Sequence, residues 1–394
     1  MYRLVFSALA LVGALALSST ATAQSCGGNF AAFVNELKSE ARARGFSSTL
    51  TKQFFASVAQ DPKVIKADRA QGVFQLPFLE FSGRLISEHR IQHGAKNAAK
   101  YKREFDFIER ELGVPRGVLL AFWAFETDYG AFQGNYNTLN ALATLAHDCR
   151  RPDLFRPQIF AALELFKRGD FDPLTTTGAW AGEIGMVQML PEDILVNGID
   201  GDGDGQVRLK TSAPDALMSG AAMLRALGWR PNQPWLQQVT LPADMDWSLS
   251  GLTTEKTVGE WAQLGLRGRH RPLASDELRA SLLLPQGHKG PAFLIYPNFR
   301  VFIEWNESLV YITTAGYFAT LLEGGAPLDP VSPDTGLTGD QMRVLQQKLV
   351  ELGFDVGDVD GILGAKTRAA VRIVQDVLAM PIDGWPTPAL LNSF

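Results

Sequence analysis

Between Gly113 and Gly130 the chain reads Gly-Val-Pro-Arg-Gly-Val-Leu-Leu-Ala-Phe-Trp-Ala-Phe-Glu-Thr-Asp-Tyr-Gly, an apolar run that ends on an acid. Pro115 suits the first turn of a helix, and side chains that are apolar on every face from Val118 to Phe125 demand burial on most sides. A helix over Val114 to Asp128 must therefore be central, with other elements packed around it. A chain of 394 residues, 46% of them hydrophobic, has the material to do so. Glu126 shares a face with Phe122 and Leu119, at i−4 and i−7, so hydrocarbon and aromatic rings surround its carboxyl. Desolvation there raises a carboxyl pKa and keeps the proton on near neutrality, the state that general-acid cleavage of a C–O bond requires. The same pattern also describes a buried Glu satisfied by backbone or Arg.

Helical spacing recurs at Phe30 to Arg44, Lys96 to Leu112, Gln158 to Arg168, Pro214 to Leu227 and Ser308 to Leu322. Short strands are expected near Gln238 to Leu241 and Phe293 to Tyr296, so the body is mainly α with minor β elements. Residues 324–336, Gly-Gly-Ala-Pro-Leu-Asp-Pro-Val-Ser-Pro-Asp-Thr-Gly, carry three prolines and no periodicity, which marks a linker of limited flexibility. After it, Met342, Leu345, Leu349 and Leu352 fall at helical spacing, and Ala369, Val371, Val374, Gln375 and Leu378 suggest a second helix, giving a small helical module over 337–394.

At the N-terminus, Met1-Tyr2-Arg3, an apolar run from Leu4 to Leu17 and Ala21-Thr22-Ala23 have the layout of a secretory signal, cleaved after Ala23. The run is too short to span a bilayer, and nothing later comes as close to an uninterrupted apolar stretch of that length, so no membrane span is expected. In an oxidising compartment the only cysteines, Cys26 and Cys149, read most economically as one disulfide, the alternative being two unrelated thiols. A formal charge of −5 gives no basic surplus for nucleic acid. Five histidines, of which His89 and His93 stand four apart, make a poor zinc site without a third ligand near them.

Three separated motifs carry a resemblance: Trp123-Ala-Phe-Glu126-Thr-Asp-Tyr-Gly130, Gly178-Ala-Trp-Ala-Gly-Glu-Ile-Gly-Met-Val-Gln188-Met-Leu-Pro191, and the Asp-Gly repeat from Asp200. In their order and spacing the chain resembles the lytic murein transglycosylase B family, family 103 of the glycoside hydrolases, over roughly residues 28 to 323. The resemblance implies a lysozyme-like catalytic domain over 24–323 with Glu126 as the single acid/base. It further implies cleavage of the MurNAc-GlcNAc bond of peptidoglycan to 1,6-anhydromuramoyl ends in the periplasm. It places Gln188, Trp180, Trp305, Asn306 and Tyr311 along the sugar cleft. Asp128, Asp148 and Asp170 are the nearest candidates for a second acid should the site use a pair. A hydrolytic muramidase and a noncatalytic wall-binding scaffold remain the alternatives. The chain departs from the family pattern at Ala179, Met186 and Glu192-Asp193, which bears on sub-sites more than on the reaction.

Asp200-Gly-Asp202-Gly-Asp204-Gly205-Gln206 places carboxylates at loop positions one, three and five and a backbone ligand at seven, the calcium-loop pattern. Thr211 at position twelve offers no carboxylate, so Asp215 is expected to close the site around a structural Ca2+. The tail, with Val344-Leu-Gln-Gln-Lys-Leu349 and Val359-Asp360-Gly361-Ile-Leu-Gly364-Ala-Lys-Thr367, resembles the three-helix peptidoglycan-binding module of wall hydrolases. Peptidoglycan strands, and possible cell-wall machinery, are the expected partners, with the linker setting the reach of the module.

Overall fold

The computed structural model describes residues 27–70 and 76–394; the expected signal segment and Cys26 lie outside the described residues. The body opens with seven helices, α1 (Phe30–Ala43), α2 (Ser48–Phe54), α3 (Pro62–Asp68), α4 (Phe78–Leu85), α5 (Glu88–Lys100), α6 (Lys102–Glu111) and α7 (Arg116–Thr127). Side chains of Asn29, Ser47, Asp61 and Ser87 accept bonds from the first free N–H groups of α1, α2, α3 and α5, which is why the chain restarts helices there. The single helix expected over Lys96 to Leu112 is two: Tyr101 leaves helical geometry and its ring packs 5.7 Å from that of Trp123.

Next come β1 (Tyr136–Asn137), α8 (Thr138–His147), α9 (Pro152–Arg168), β2 (Thr177–Gly178), α10 (Pro191–Asn197) and α11 (Ala213–Ala226). Helix α9 starts at Pro152, earlier than the expected Gln158, because Pro152 serves the first turn and Pro157 is carried inside. A sheet of β3 (Leu236–Thr240), β4 (Lys256–Thr257), β5 (Arg267–Gly268), β6 (Arg279–Leu283) and β7 (Phe293–Ile295) follows, with α12 (Val258–Gln263) on it. Its order is β4-β6-β7-β3-β5, antiparallel throughout. The two strands expected from sequence are neighbours in it, Gln238 opposite Phe293 and Leu236 opposite Ile295.

The body closes with α13 (Pro297–Trp305) and α14 (Leu309–Leu322). Helix α7 lies against α14, and the contact is close enough to require Gly117: a Cβ there would stand 2.7 Å from the Ala319 carbonyl oxygen. The Gly117 N–H donates to Glu323 Oε1 at 2.6 Å, so the start of α7 is capped by its neighbour rather than by its own side chain. Every residue from Gly117 to Ala124 is buried, as the apolar run demanded.

The C-terminal module has helices α15 (Gly339–Glu351), α16 (Ala365–Val377) and α17 (Pro388–Leu391) around a separate core of Met342, Leu345, Leu349, Val371 and Leu390. The linker does not leave this module free. Leu328 N–H donates to Tyr317 Oη at 3.0 Å, Asp329 pairs with Arg269, and Asp334 pairs with Lys289 at 2.8 Å. Arg372 reaches Ser250 Oγ at 2.8 Å and the Ser248 carbonyl at 2.6 Å, and Asp383 meets His288 Nδ1 at 2.6 Å, so the module is seated on the sheet region. Among the described residues no helix is long and apolar enough to cross a membrane.

Candidate active site

Helix α7 ends abruptly. Asp128 and Tyr129 both take the left-handed conformation, at φ 50° and 59°, before Gly130 at 90°, a costly run for residues with a Cβ. It is held by Thr127, whose hydroxyl donates to the Met186 carbonyl at 2.7 Å and accepts from Gly130 N–H at 2.9 Å, and by an Arg90–Asp128 ion pair at 2.9 Å. The turn thus clamps the end of α7 to the Gly-rich segment 178–189.

Glu126, one residue before Thr127, is partly buried. Its Oε1 accepts bonds from Tyr311 Oη at 2.5 Å and from Trp305 Nε1 at 3.1 Å. Trp305 in turn stacks on Phe122 with centroids 4.3 Å apart, and Phe125 stacks on Phe318 at 5.1 Å, so both sides of the acid are aromatic. Burial pushes the Glu126 pKa up to about 7, with the two donors pulling against it and the charge of Glu183 adding to it.

Glu183 is the residue that sequence reasoning passed over, although it stands inside a quoted motif. It is partly buried, burial raises its pKa, and its Oε2 is buried without a hydrogen-bond partner. The loop carrying it is rigid: its carbonyl accepts from Ala179 N–H at 2.9 Å, and Ile184 and Met189 exchange backbone bonds. Arg151, which acts on it electrostatically, is anchored on buried Asp68. The three acids considered as partners of Glu126 are committed elsewhere. Asp128 holds Arg90, Asp148 pairs with Arg69 at 3.3 Å, and Asp170 accepts from Val207 N–H at 2.9 Å.

Of the cleft residues expected from the resemblance, Tyr311 and Trp305 are brought onto the acid itself. Asn306 follows α13 at its C-terminal cap and accepts from Ser308 N–H at 2.8 Å, which fixes the turn there. Gln188 takes a positive φ of 53° and its Nε2 donates to the Gly185 carbonyl at 2.7 Å, so half of its amide braces its own loop. Trp180 is partly buried and packs against the main core.

The carboxylates of Asp200, Asp202 and Asp204 offer oxygens within 4.8 Å of one another. Asp215 is not among them. It is buried, with Oδ1 accepting from Gly201 N–H at 2.9 Å and Oδ2 from Arg208 N–H at 2.7 Å, so it braces the loop from beneath. The side chain of Gln206 turns to Arg208, which leaves its backbone carbonyl as the group available at position seven. Three converging hard oxygen donors fit a divalent cation such as Ca2+. Cys149 is disulfide-bonded, and a Cβ on Gly27, next to Cys26, would lie 3.5 Å from its Sγ.

The transglycosylase SLT domain profile matches residues 29–320, nearly three quarters of the chain. This protein belongs to that family. A peptidoglycan binding domain profile matches residues 338–393. The crystal structure of SltB3 from Pseudomonas aeruginosa in complex with NAG-anhNAM-pentapeptide is 38% identical, covers 93% of this chain and 99% of its own, and superposes with a TM-score of 0.83. Membrane-bound lytic murein transglycosylase B of Escherichia coli is 26% identical over 237 residues, 59% of this chain and 64% of that relative, so the match spans under two thirds of its length. Slt35 of Escherichia coli in complex with calcium shares the fold at 24% identity and a TM-score of 0.65, over 76% of this chain and 95% of its own.

Proposed function

We propose that this protein is a lytic transglycosylase that cleaves the β-1,4 bond between N-acetylmuramic acid and N-acetylglucosamine without consuming water. The observation that carries this reading is the Glu126 carboxyl held by Tyr311 and Trp305, in surroundings whose burial pushes its pKa up to about 7. Protonated Glu126 donates to the glycosidic oxygen as the C1–O bond breaks. The resulting carboxylate takes the proton of the muramoyl C6 hydroxyl, whose oxygen bonds to C1, and the acid is regenerated. Tyr311 and Trp305 hold the carboxyl in one orientation through both transfers. Asp128, Asp148 and Asp170 are each engaged by a partner away from Glu126, and this favours a one-acid reaction over paired-carboxyl hydrolysis.

Around that chemistry, 24–323 is the catalytic domain, 324–336 the linker and 337–394 a unit that binds the wall. Cys26 and Cys149 form the disulfide, and the protein works in the periplasm after loss of residues 1–23. The Asp200, Asp202 and Asp204 cluster, with the Gln206 carbonyl, would hold a calcium ion that supplies charge neutralisation to the loop and takes no part in bond cleavage.

The test is mass spectrometry of soluble muropeptides released from purified peptidoglycan by the protein and by Glu126→Gln, which keeps shape and removes the proton donor. Anhydro products from the first and none from the second support the proposal. Reducing ends mean a hydrolytic muramidase, and no products from either mean a wall-binding scaffold.

A further inference from the structure

Helix α7 stops one residue after Glu126, and much of what stops it comes from another helix. Asp128 and Tyr129 are left-handed at φ 50° and 59°, a conformation that residues with a Cβ keep only when their surroundings over-determine it. Both are gripped by Arg90, on the first turn of α5. Its Nε donates to Asp128 Oδ1 at 2.9 Å, and its backbone carbonyl accepts from Tyr129 Oη at 2.8 Å. A single residue holds the turn at two successive positions, once through its side chain and once through its main chain.

Arg90 is itself fixed. Its N–H donates to the Ser87 hydroxyl that caps α5, at 3.2 Å, and Nη1 donates to the Leu85 carbonyl at the end of α4, at 3.0 Å. The guanidinium carbon lies 5.6 Å from the ring centroid of Phe125, the residue before Glu126. The side chains of Arg90 and Asp128 are each only 22% exposed, so salt screens their attraction less than it would a surface pair. Tyr129 is seated just as closely. A Cβ on Gly94, one turn along α5, would stand 2.7 Å from its hydroxyl oxygen, and its ring meets that of Trp123 edge-on at 5.6 Å.

The strained turn bears directly on the acid. Glu126 Oε1 meets Tyr311 Oη at 2.5 Å, and Tyr311 belongs to α14, a different helix. A bond that short tolerates little displacement of the last turn of α7. If Asp128 and Tyr129 relaxed to right-handed geometry, α7 would lengthen and draw Gly130 off the Thr127 hydroxyl. That hydroxyl also ties the helix end to the Met186 carbonyl, so the depth at which Glu126 sits would no longer be set.

We propose that Arg90 is a positioning residue: by holding Asp128 and Tyr129 in the left-handed turn, it sets the Glu126 carboxyl against Tyr311. The inference rests on the reading of Glu126 as the acid. Arg90 acts through the turn and touches no reacting atom.

The experiment is a carbon-13 NMR titration of the Glu126 carboxyl, assigned by its loss in Glu126→Gln, beside kcat and KM on a soluble muropeptide. Among the described residues, Tyr311 and Glu183 are the titratable groups that act on this acid, Trp305 is its other donor, and Arg90 acts on Tyr311. Arg90→Gln is therefore combined with Asp128→Asn, which removes one charge of each sign. The pair variant should titrate about one pH unit above wild type, because the Tyr311 bond that favours the carboxylate is loosened. In a Tyr311→Phe background the same pair should produce no further shift. The kcat of the pair variant should fall about tenfold with KM within about twofold, the signature of lost orientation and not of lost binding. Tyr129→Phe, which cuts the other grip and changes no charge, should shift the titration the same way by less, and serves if the pair variant does not fold.

A shift that persists in the Tyr311→Phe background, or wild-type titration and kcat in the pair variant or, should the pair not fold, in Tyr129→Phe, overturns the proposal. Anhydro products from the wild type are measured alongside. Their absence counts against the catalytic reading alone, since the titration reads the placement of Glu126 without turnover.

Discussion

The phenol of Tyr311 and the carboxyl of Glu126 meet at 2.5 Å although 185 positions separate them in the chain. Tyr311 donates to Glu126 and lowers its proton affinity, while the charge of Glu183 raises it, so the acid is set between two opposed neighbours. Replacing them should move the pH profile in opposite directions. Tyr311→Phe removes the donor, so the basic limb of kcat/KM should shift to higher pH, with kcat falling about tenfold for the lost hydrogen bond. Glu183→Gln removes a negative charge, so the same limb should shift to lower pH. Profiles on a defined muropeptide check both, and two shifts of the same sign would refute the electrostatic account.

The raised pKa of Glu126 has a cost in stability. The folded state keeps a proton that the unfolded chain releases near pH 4.3, so stability falls as pH rises from there to about 7. The size is about 3 kcal/mol. Glu126→Gln should therefore melt above wild type at pH 8 and alongside it at pH 4. Calorimetry at the two pH values measures this, and a constant offset would mean that packing and not ionisation separates the two.

Removing calcium should destabilise the body without touching the reacting groups. A single site at a hundredfold excess over Kd contributes about 2.7 kcal/mol, several degrees in Tm. Asp204→Asn should abolish most of that gain, since Asp204 is exposed, the bond its Oδ1 accepts from Gln206 N–H at 2.9 Å survives as an amide acceptor, and the half-exposed ion pair with Arg208 at 3.9 Å contributes little. Superimposable melting curves in calcium and in chelator, with no metal by elemental analysis, would dispose of the site.

The disulfide proposed between Cys26 and Cys149 would close a loop of more than a hundred residues. Its reduction should lower stability by about 2 to 4 kcal/mol, by freeing the unfolded chain. Peptide mapping under non-reducing conditions tests the pairing, and Cys149→Ser should match the reduced protein in Tm.

Much of the site is legible in the sequence because its chemistry is local. The apolar run before Glu126 forces burial, and burial of a carboxyl carries its own pKa consequence. The three aspartates two residues apart can hardly avoid converging. Where the sequence misled, the reason was a partner it does not display. Asp215 was expected at the metal, but Gly201, Asp202 and Arg208 backbone groups claim its oxygens. Asn306 was expected along the sugar cleft, and the bond its Oδ1 accepts from Ser308 N–H is a second role that the sequence does not display. Glu183 looked like one polar residue in a Gly-rich loop, and only the folding of that loop onto the end of α7 makes it a neighbour of the acid.

The linker shows the same division. Its prolines mark a boundary, which composition alone determines, because such a stretch has no apolar face to bury. Whether the module beyond swings or sits is decided by surfaces that have no signature in the linker. His288, Ser250 and Pro285 on the body meet Asp383, Arg372 and Arg368 on the module. The sequence by itself determined the elements whose stability is periodic or local: the buried α7, the acidic loop, the small helical tail. Tertiary structure alone decided which donors reach Glu126 and where the tail docks. Those contacts join residues scores of positions apart, and their energies exist only once the intervening chain has paid its conformational entropy to bring them together.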